Sequence, residues 1–436
     1  MQGNRVIKNA SWIIAARIVQ SVLTMLISMV TARYLGPSNF GLINYAISIA
    51  AFALPIMQLG INNVLVQEIV LEPEEEGKIL GSTLCASLFM SGLCIAAILG
   101  FVAIVNPGEK ETFVVCGLYS LCLFAQAIEQ MYYWFQAKLL SKYTSLVALA
   151  SYTIVTIYKL VLLITGQSVR WFALSYTFDY MIIGICELYF YHKFSTHKLQ
   201  FDWTILKRLV RKSKYYILSG LMITIFAQTD RIMLKLLIDE AATGYYSAAV
   251  SCAGMTGFIF VAIIDSARPV IFESKGQGQG SFETNVTRLY SVITYFALLQ
   301  CIGITLFAKP LIYLLYGAEF APAVNALRLI VWYTTFAYFG SVRNIWMLAE
   351  GKQNLIWIID LSGAIANVFI NWMLIPRWGI MGASFASLVT QIFTNVIMGF
   401  ILKPVRPNNY LMMRSIHPKY VLTMVNYLIQ SRKSKE

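Results

Sequence analysis

The chain has 436 residues, of which 58% are hydrophobic and only 13% are charged. A soluble domain is about a quarter charged and at most half apolar, so this composition excludes an ordinary soluble globular protein. The net charge of +13 does not indicate a nucleic-acid partner, because basic residues gather in the cytoplasmic loops of membrane proteins. Several apolar runs exceed the ~18 residues that a helix needs to cross a bilayer. The sequence therefore predicts an all-α polytopic membrane protein.

In chain order, apolar runs bounded by charged residues, glycine or proline predict about twelve transmembrane helices. The first run, ASWIIAARIVQSVLTMLISMVTA, follows Arg5 and Lys8. It is too long for the apolar core of a signal peptide and no small-residue cleavage site follows it, so we predict a retained helix. The predicted spans are residues 11–34, 41–67, 80–105, 112–137, 143–165, 169–192, 213–237, 243–270, 286–308, 322–349, 355–375 and 379–403.

The distribution of lysine and arginine predicts the orientation of these spans. With the N-terminus inside, the inner loops and the tail hold 22 basic residues and the outer loops hold 6. Basic residues are retained on the cytoplasmic side. We therefore expect both termini in the cytoplasm and the protein in the cytoplasmic, or inner, membrane.

One connection is much longer than the others and divides the twelve spans into two sets of six. It reads KFSTHKLQFDWTILKRLVRKSK and covers residues 193–214. We predict an N-terminal six-helix lobe (1–192), a cytoplasmic interlobe linker (193–214), a C-terminal six-helix lobe (215–403) and a cytoplasmic tail (404–436). Within the tail, KYVLTMVNYLIQSRK is too short to cross the bilayer and fits a helix on the inner surface.

Weak internal similarity accompanies this division. Gly41 pairs with Gly244, and Trp134 in YYWFQAKLLSKYT pairs with Trp346 in NIWMLAEGKQNL, at offsets of roughly 200 to 212. Six spans is an even number, so the two halves have the same orientation in the membrane. Such parallel repeats are related by an axis along the membrane normal, and substrate sites lie between them. We therefore expect two lobes around a central cavity.

Metal and covalent chemistry are not indicated. The cysteines Cys85, Cys94, Cys116, Cys122, Cys186, Cys252 and Cys301 all lie in apolar runs and form no C-x-x-C pair. They are typical of small buried side chains. The three histidines lie in loops or the tail without metal-binding spacing, and the glycines of SKGQGQGS fit a flexible connector. We predict no metal, no resident cofactor and no catalytic residue.

Two stretches carry a resemblance to a known family. NASWIIAARIVQSVLTMLISMVTARYLGPSNFGLINYAISIAAF opens the chain, and TDRIMLKLLI with TGYYSAA follows the midpoint. Both resemble the polysaccharide exporters of the multidrug/oligosaccharidyl-lipid/polysaccharide exporter superfamily, of the O-antigen or capsule repeat-unit flippase type. The resemblance implies transport of an undecaprenyl-diphosphate-linked oligosaccharide from the inner to the outer leaflet. It also implies contact with membrane lipid and with polysaccharide polymerase machinery as a further partner.

Charges inside the spans are the candidate site residues, because intramembrane charges are costly and usually face the bundle interior or a cavity. Arginine stays ionised and holds phosphate oxygens in a bidentate way, so a cationic track suits a diphosphate. The predicted substrate-binding cations are Arg17, Arg231, Arg268, Arg343 and Lys159. The acids predicted to pair with them or to bind a coupling cation, H⁺ or Na⁺, are Asp230, Asp265, Glu129 and Asp179.

Plainer interpretations of the same charges stay open. Asp265 and Arg268, three apart on one helix, can neutralise each other. Lys159 can extend toward the membrane surface. Asp230 and Arg231 are neighbours that point about 100° apart, so each needs a different partner. In one interpretation, Arg231 binds the substrate and Asp230 binds a basic residue or a coupling cation. In the other, each residue forms an ion pair with a neighbouring helix.

Alternating access by rocking of the two lobes is the expected mechanism. The nearest alternative is a cation-coupled multidrug extruder of the same superfamily, which would depend on cavity acids. An alternative of another class is a membrane glycosyltransferase or polymerase. Such an enzyme would be expected to carry large outer loops with acidic pairs, whereas the outer loops here are short.

Overall fold

The structure, a computed structural model, describes residues 2–417 and 419, with side chains from residue 20 onward except at positions 21 and 22. Its described residues are mostly helical and contain no β-strand, which confirms the all-α class. The helices of the first part are α1 (Gln2–Met57), α2 (Asn62–Leu71), α3 (Glu76–Val105), α4 (Lys110–Ser120), α5 (Cys122–Glu129), α6 (Tyr132–Ala137), α7 (Ser141–Ile164), α8 (Val169–Phe194) and α9 (Trp203–Leu237). The remaining helices are α10 (Glu240–Gly254), α11 (Gly257–Gly276), α12 (Gln279–Leu315), α13 (Ala323–Ala349), α14 (Ile356–Ile392), α15 (Met398–Ile401) and α16 (Arg406–Ser415), with a π-helical turn at Phe393–Ile397.

Seven helical stretches in the described part of the chain are long and apolar enough to cross a membrane, or eight if α10 and α11, bent by 45°, form one span. Two of the seven are 49 residues long, more than twice the ~20 residues of one crossing. Each is kinked at a glycine with positive φ, Gly36 (71°) or Gly379 (53°). Helices α8 and α13, with 26 and 27 residues, are also long enough to span. Most residues of the twelve predicted spans thus lie in helices.

Three predicted spans are not continuous helices, which corrects their predicted extents. Residues 41–67 are interrupted after α1, where Leu59 (φ 51°) and Gly60 (φ 63°) both have left-handed backbone. Residues 112–137 are divided into α4, α5 and α6, and residues 243–270 into α10 and α11. Apolar composition measures burial or lipid contact, so it does not reveal where hydrogen bonding between successive turns breaks.

The chain forms two compact units, Met1–Gly244 and Tyr245–Glu436. In the first unit, one apolar cluster joins α1, α3, α4 and α8 around Tyr45, Phe172 and Ala173. A second cluster joins α2, α6 and the start of α9 around Trp134 and Leu209. The second unit has its own core around Tyr290 and Trp346. The domain bounds predicted from the sequence stay a prediction.

Helices α6 and α13 end in the same hydrogen-bonded turn at an offset of 212. After α6, the N–H of Leu139 donates to Gln136 O (3.2 Å) and that of Leu140 to Phe135 O (2.8 Å). After α13, Gly351 N donates to Leu348 O (3.2 Å) and Lys352 N to Met347 O (2.7 Å). This is the Schellman arrangement, which needs a left-handed residue after the helix. The common offset supports the internal repeat that was aligned through Trp134 and Trp346.

One copy of this turn is strained. Gly351 adopts φ 69° without steric cost, whereas Leu139 holds φ 56° at a cost of about 1–2 kcal/mol for a side chain in that region. Leu139 is 46% exposed, so little packing is lost with it. We expect Leu139→Gly to raise the free energy of unfolding by up to about 1 kcal/mol, measured by denaturant titration in detergent. Gly351→Leu is the matched reverse substitution and should destabilise; equal effects of one sign would contradict the shared turn.

The repeat-paired glycines Gly41 and Gly244 lie against each other in the first unit. A Cβ on Gly41 would lie 1.8 Å from Glu240 O, and one on Gly244 would lie 2.1 Å from Pro37 O. The backbones of α1 and α10 therefore approach as closely as small residues permit in membrane helices. The parallel repeat stays a prediction. If it holds, residues that are equivalent in the two repeats meet near the axis that relates them, as Gly41 and Gly244 do.

Candidate functional site

A polar cavity of about 230 Å³ lies within the first unit, among α1, α7 and α8. Its charged residues are Lys159 from α7 and Asp179 from α8. Polar residues make up much of the remaining wall, and these are Gln20, Thr24, Ser28, Thr31, Tyr152, Ser175, Tyr176 and Tyr180. The apolar part of the wall includes Ile27, Phe40, Ile43, Val155 and Phe172. The cavity therefore combines one cation, one anion and many hydroxyl groups in a segment that crosses the membrane.

Helical spacing explains why these side chains meet. Tyr152, Val155 and Lys159 follow one another at intervals of three and four on α7, so they share a face. On α8, Ser175 and Asp179 are four apart, as are Tyr176 and Tyr180, which gives a second polar face. The packing of α7 against α8 and α1 closes the cavity between these faces.

The two charges of the cavity have different surroundings. The Lys159 ammonium lies 4.4 Å from the centre of the Tyr176 ring, a cation–π geometry. Asp179 accepts a hydrogen bond from Ser151 through its carboxylate (2.7 Å), and the same hydroxyl contacts its backbone oxygen (3.0 Å). Asp179 is thereby held in place, whereas the ammonium of Lys159 is held mainly by an aromatic face. An anionic group entering the cavity would find in Lys159 an available donor.

The other predicted cations are placed separately. Arg231 in α9 donates to Gln228 Oε1 (2.8 Å) one turn earlier, and this oxygen also accepts from Ser48 of α1 (3.0 Å). Its neighbour Asp230 is 5% exposed and, like Arg231, has further interactions in the protein. The side chain of Arg17 lies outside the described residues. Contact of Arg231 or Arg17 with a substrate stays a prediction.

Asp265 and Arg268 form an ion pair along α11, with 3.1 Å between carboxylate and guanidinium. Their side chains are 56% and 52% exposed, so the pair is on the surface of the described protein. This is the plainer of the two interpretations of these residues. Glu129 ends α5, is half-buried, and forms no ion pair among the described residues.

Arg343 lies in the interior of the second unit. It is 3% exposed, and its Nη1 donates to Thr394 O (2.9 Å) and Asn395 Oδ1 (3.0 Å). Its Nε and Nη2 donate to Asn344 Oδ1 at 3.3 and 3.0 Å. These contacts fix the guanidinium to the π-helical turn that contains Thr394 and Asn395. The structure thus gives Arg343 a structural role, and its predicted contact with substrate stays a prediction.

Lys235 is one of the six basic residues that the sequence assigns to the outer loops, and the structure corrects that placement. It lies in the last turn of α9 with a side chain 4% exposed, 2.7 Å from Glu109 and 2.6 Å from Glu240. Partial burial opposes ionisation of Glu109, but the hydrogen bonds from Lys235 and Thr112 prevail and lower its pKa. Asn106, which contacts Glu109, accepts from Tyr45 (2.8 Å). The ammonium thus joins the α3–α4 loop to the start of α10.

Sequence reasoning identified the charges of the cavity but missed its neutral wall. Tyrosine, serine and threonine are common in spans, so none of them is distinctive alone. Their recurrence at intervals of three or four beside Lys159 and Asp179 was the available signal. The contact of Lys235 with Glu109 had no local signal, because Glu109 lies 126 positions away.

Comparison with known proteins adds a family and a fold. Residues 6–275 match a family model described as polysaccharide biosynthesis protein. The capsular polysaccharide biosynthesis protein CapF of Staphylococcus aureus is 20% identical over 397 residues, which covers 88% of this chain and 96% of the relative. An inward-facing multidrug resistance MATE family transporter of the MOP superfamily aligns with a TM-score of 0.70 at 14% identity, covering 91% of this chain and 96% of that one. The lipid II flippase MurJ, in an inward closed conformation, aligns with a TM-score of 0.69 at 14% identity, covering 95% and 92%.

Proposed function

Because this chain belongs to the family of polysaccharide biosynthesis proteins, we propose that it is a flippase for undecaprenyl-diphosphate-linked oligosaccharide repeat units. The family description, the capsular relative and the fold shared with a lipid II flippase support this proposal. It moves the polar head from the cytoplasmic to the outer leaflet of the inner membrane, with both termini in the cytoplasm. Polysaccharide polymerase machinery receives the product on the outer side.

The observation that carries the proposal is the polar cavity within the first unit. A cavity of about 150 Å³ holds one benzene molecule, so 230 Å³ accommodates one sugar ring or a phosphate rather than a whole repeat unit. Each sugar hydroxyl in hydrocarbon without a partner costs several kcal/mol. The hydroxyl-rich wall supplies partners, and Lys159 supplies a positive charge for a diphosphate oxygen.

Transport occurs by alternating access: the polar head binds these hydroxyl groups and Lys159 from the inner side and is released to the outer side. The two lobes rock against each other around the site and open it to one side of the membrane at a time, while the polyprenyl tail stays in lipid. Two phosphate charges moving outward gain roughly 2.3 kcal/mol each per 100 mV of inside-negative potential. Cationic side chains that move with them reduce this gain. Coupling to H⁺ or Na⁺ through Asp179 or Glu129 is the complementary driving force.

We expect Lys159→Gln to reduce flipping by at least tenfold with little change in protein level. The substitution removes the cavity cation and keeps a similar length. The measurement is flipping of a fluorescent undecaprenyl-diphosphate-linked oligosaccharide in proteoliposomes, read by access of an impermeant quencher. The matched control is Lys142→Gln, which changes the start of the same helix outside the cavity.

Two results would contradict the proposal. Wild-type protein that fails to flip the lipid-linked oligosaccharide but exports an organic cation would favour the multidrug extruder, whose fold this chain shares. If Lys159→Gln flips the substrate as fast as the control Lys142→Gln, Lys159 does not contribute to the site. Asp179→Asn in the same assay separates coupling from binding, since loss of dependence on an ion gradient without loss of binding assigns Asp179 to coupling.

A further inference from the structure

Helix α9 is longer than one membrane crossing. It has 35 residues, whereas about 20 suffice to span the hydrocarbon. Its apolar part follows Lys214, so roughly its first dozen residues extend past the hydrocarbon boundary. This juxtamembrane segment, residues 203–214, contains Lys207, Arg208, Arg211, Lys212 and Lys214. The structure separates these five cations into two groups.

One group faces the first unit and is neutralised there. Arg208 contacts Glu72 at 2.5 Å and Glu75 at 3.3 Å, and Lys212 contacts Glu68 at 2.7 Å. The hydrogen bond from Arg208 lowers the pKa of Glu72, so the acid stays ionised. On the same side, Ile205, Leu206 and Leu209 are at most 8% exposed and pack in the cluster around Trp134.

The second group points away from the unit. Lys207, Arg211 and Lys214 are all exposed, and their spacing of four and three residues places them on one helical face. Among the described residues, none of the three takes part in an ion pair. Exposed aromatic residues flank this cationic face at both ends: Trp203 is 68% exposed and Tyr215 74% exposed.

The cationic face is held rigidly. Asp202 caps α9 by accepting from Thr204 N (2.8 Å) and Ile205 N (3.2 Å), and its own N–H donates to Ser82 Oγ (2.8 Å). Upstream, Gln200 N donates to Gly77 O (3.1 Å). A Cβ on Gly81 would lie 2.4 Å from Gln200 O, so the backbone of the segment before α9 packs directly against the backbone of α3. The orientation of Lys207, Arg211 and Lys214 is therefore preset.

We infer that the face formed by Lys207, Arg211 and Lys214 binds the headgroups of anionic phospholipids at the membrane surface. Charge complementarity identifies the ligand, because cations beside a membrane-spanning helix attract anionic headgroups. The flanking aromatic rings identify its location, since exposed tryptophan and tyrosine concentrate at the membrane–water interface. Membrane residence is all that this inference requires, so it does not depend on the transported solute.

The test compares phosphatidylglycerol with phosphatidylcholine bound to the purified full-length protein in mixed micelles, by native mass spectrometry. We expect wild-type protein to retain phosphatidylglycerol preferentially. The triple variant Lys207→Gln, Arg211→Gln, Lys214→Gln should bind it at least tenfold more weakly, since each cation near an anionic surface contributes about fivefold in affinity. The matched control, Lys110→Gln, Lys309→Gln, Arg377→Gln, removes the same charge from exposed positions elsewhere and should keep the preference.

Other outcomes would overturn the inference. Retained preference in the triple variant would show that the face is not the site, and loss in both variants would reduce the effect to net charge. Weaker binding of undecaprenyl diphosphate with unchanged phosphatidylglycerol binding would assign the face to the substrate instead. If the triple variant does not fold, the single variants Lys207→Gln and Arg211→Gln decide the matter: each should weaken the preference, whereas Lys207→Arg should keep it.

Discussion

Replacing Gly41 with leucine is expected to destabilise the protein by roughly 2–3 kcal/mol, at the upper end of the cost of overpacking a well-packed interior. A Cβ at this position would lie 1.8 Å from Glu240 O and 2.7 Å from Gly244 N. Both are backbone atoms, which a side-chain rearrangement cannot move. The helices α1 and α10 must separate, and the ion pairs that Lys235 forms with Glu109 and Glu240 lie beside the same contact.

The measurement is the free energy of unfolding of detergent-solubilised protein, with flipping measured in parallel. Gly303→Leu is the matched control, because no atom lies within 4 Å of a Cβ built there and removal of a helix glycine is slightly favourable. Gly244→Leu should resemble Gly41→Leu, and the double variant should cost less than the sum because both act on one contact. An unchanged stability of Gly41→Leu would contradict the close approach.

The second large effect is expected at Arg343. Arg343→Leu leaves Thr394 O, Asn395 Oδ1 and Asn344 Oδ1 without the donor that the guanidinium supplies. Each unsatisfied buried polar group costs about 1–3 kcal/mol, so we expect a loss of about 3 kcal/mol or more. Arg343→Lys keeps the charge but loses the planar set of donors, and should fall between wild type and Arg343→Leu.

A control on the same helix is available. Arg328 is exposed, and its guanidinium donates to Asn325 on its own helix (3.2 Å). Arg328→Leu should therefore change the free energy of unfolding by less than about 0.5 kcal/mol. Arg343→Lys also distinguishes the structural role from the predicted substrate contact. Normal stability with reduced flipping would favour the substrate contact, and reduced stability with proportionate loss of flipping would favour the structural role.

The π-helical turn beside Arg343 explains why its role was not visible in the sequence. Gly340 leaves room for Asn395, whose Oδ1 would lie 2.4 Å from a Cβ there. Asn395 in turn donates to Gln391 Oε1 (2.6 Å). These partners lie about 50 positions from Arg343, and each is an ordinary polar residue of an apolar span. An arginine among apolar residues looks the same in sequence whether it faces a cavity or a protein interior.

The sequence by itself determined the all-α polytopic class of the protein and the approximate positions of its apolar helices. A segment that crosses hydrocarbon needs about 20 consecutive apolar residues whose backbone groups are hydrogen-bonded within the helix. Such a run can be recognised from the local composition of the sequence. The sequence also predicted a repeat through Trp134 and Trp346, and the matching turns after α6 and α13 support that alignment. The tertiary structure alone decided where helices break and that Lys159 and Asp179 share a cavity. It also decided that Lys235 contacts Glu109 and that Arg343 contacts Thr394 and Asn395. Those outcomes depend on which helix faces pack together. Packing brings together residues that are far apart in the sequence, and the sequence around one residue does not indicate which distant residue it will contact.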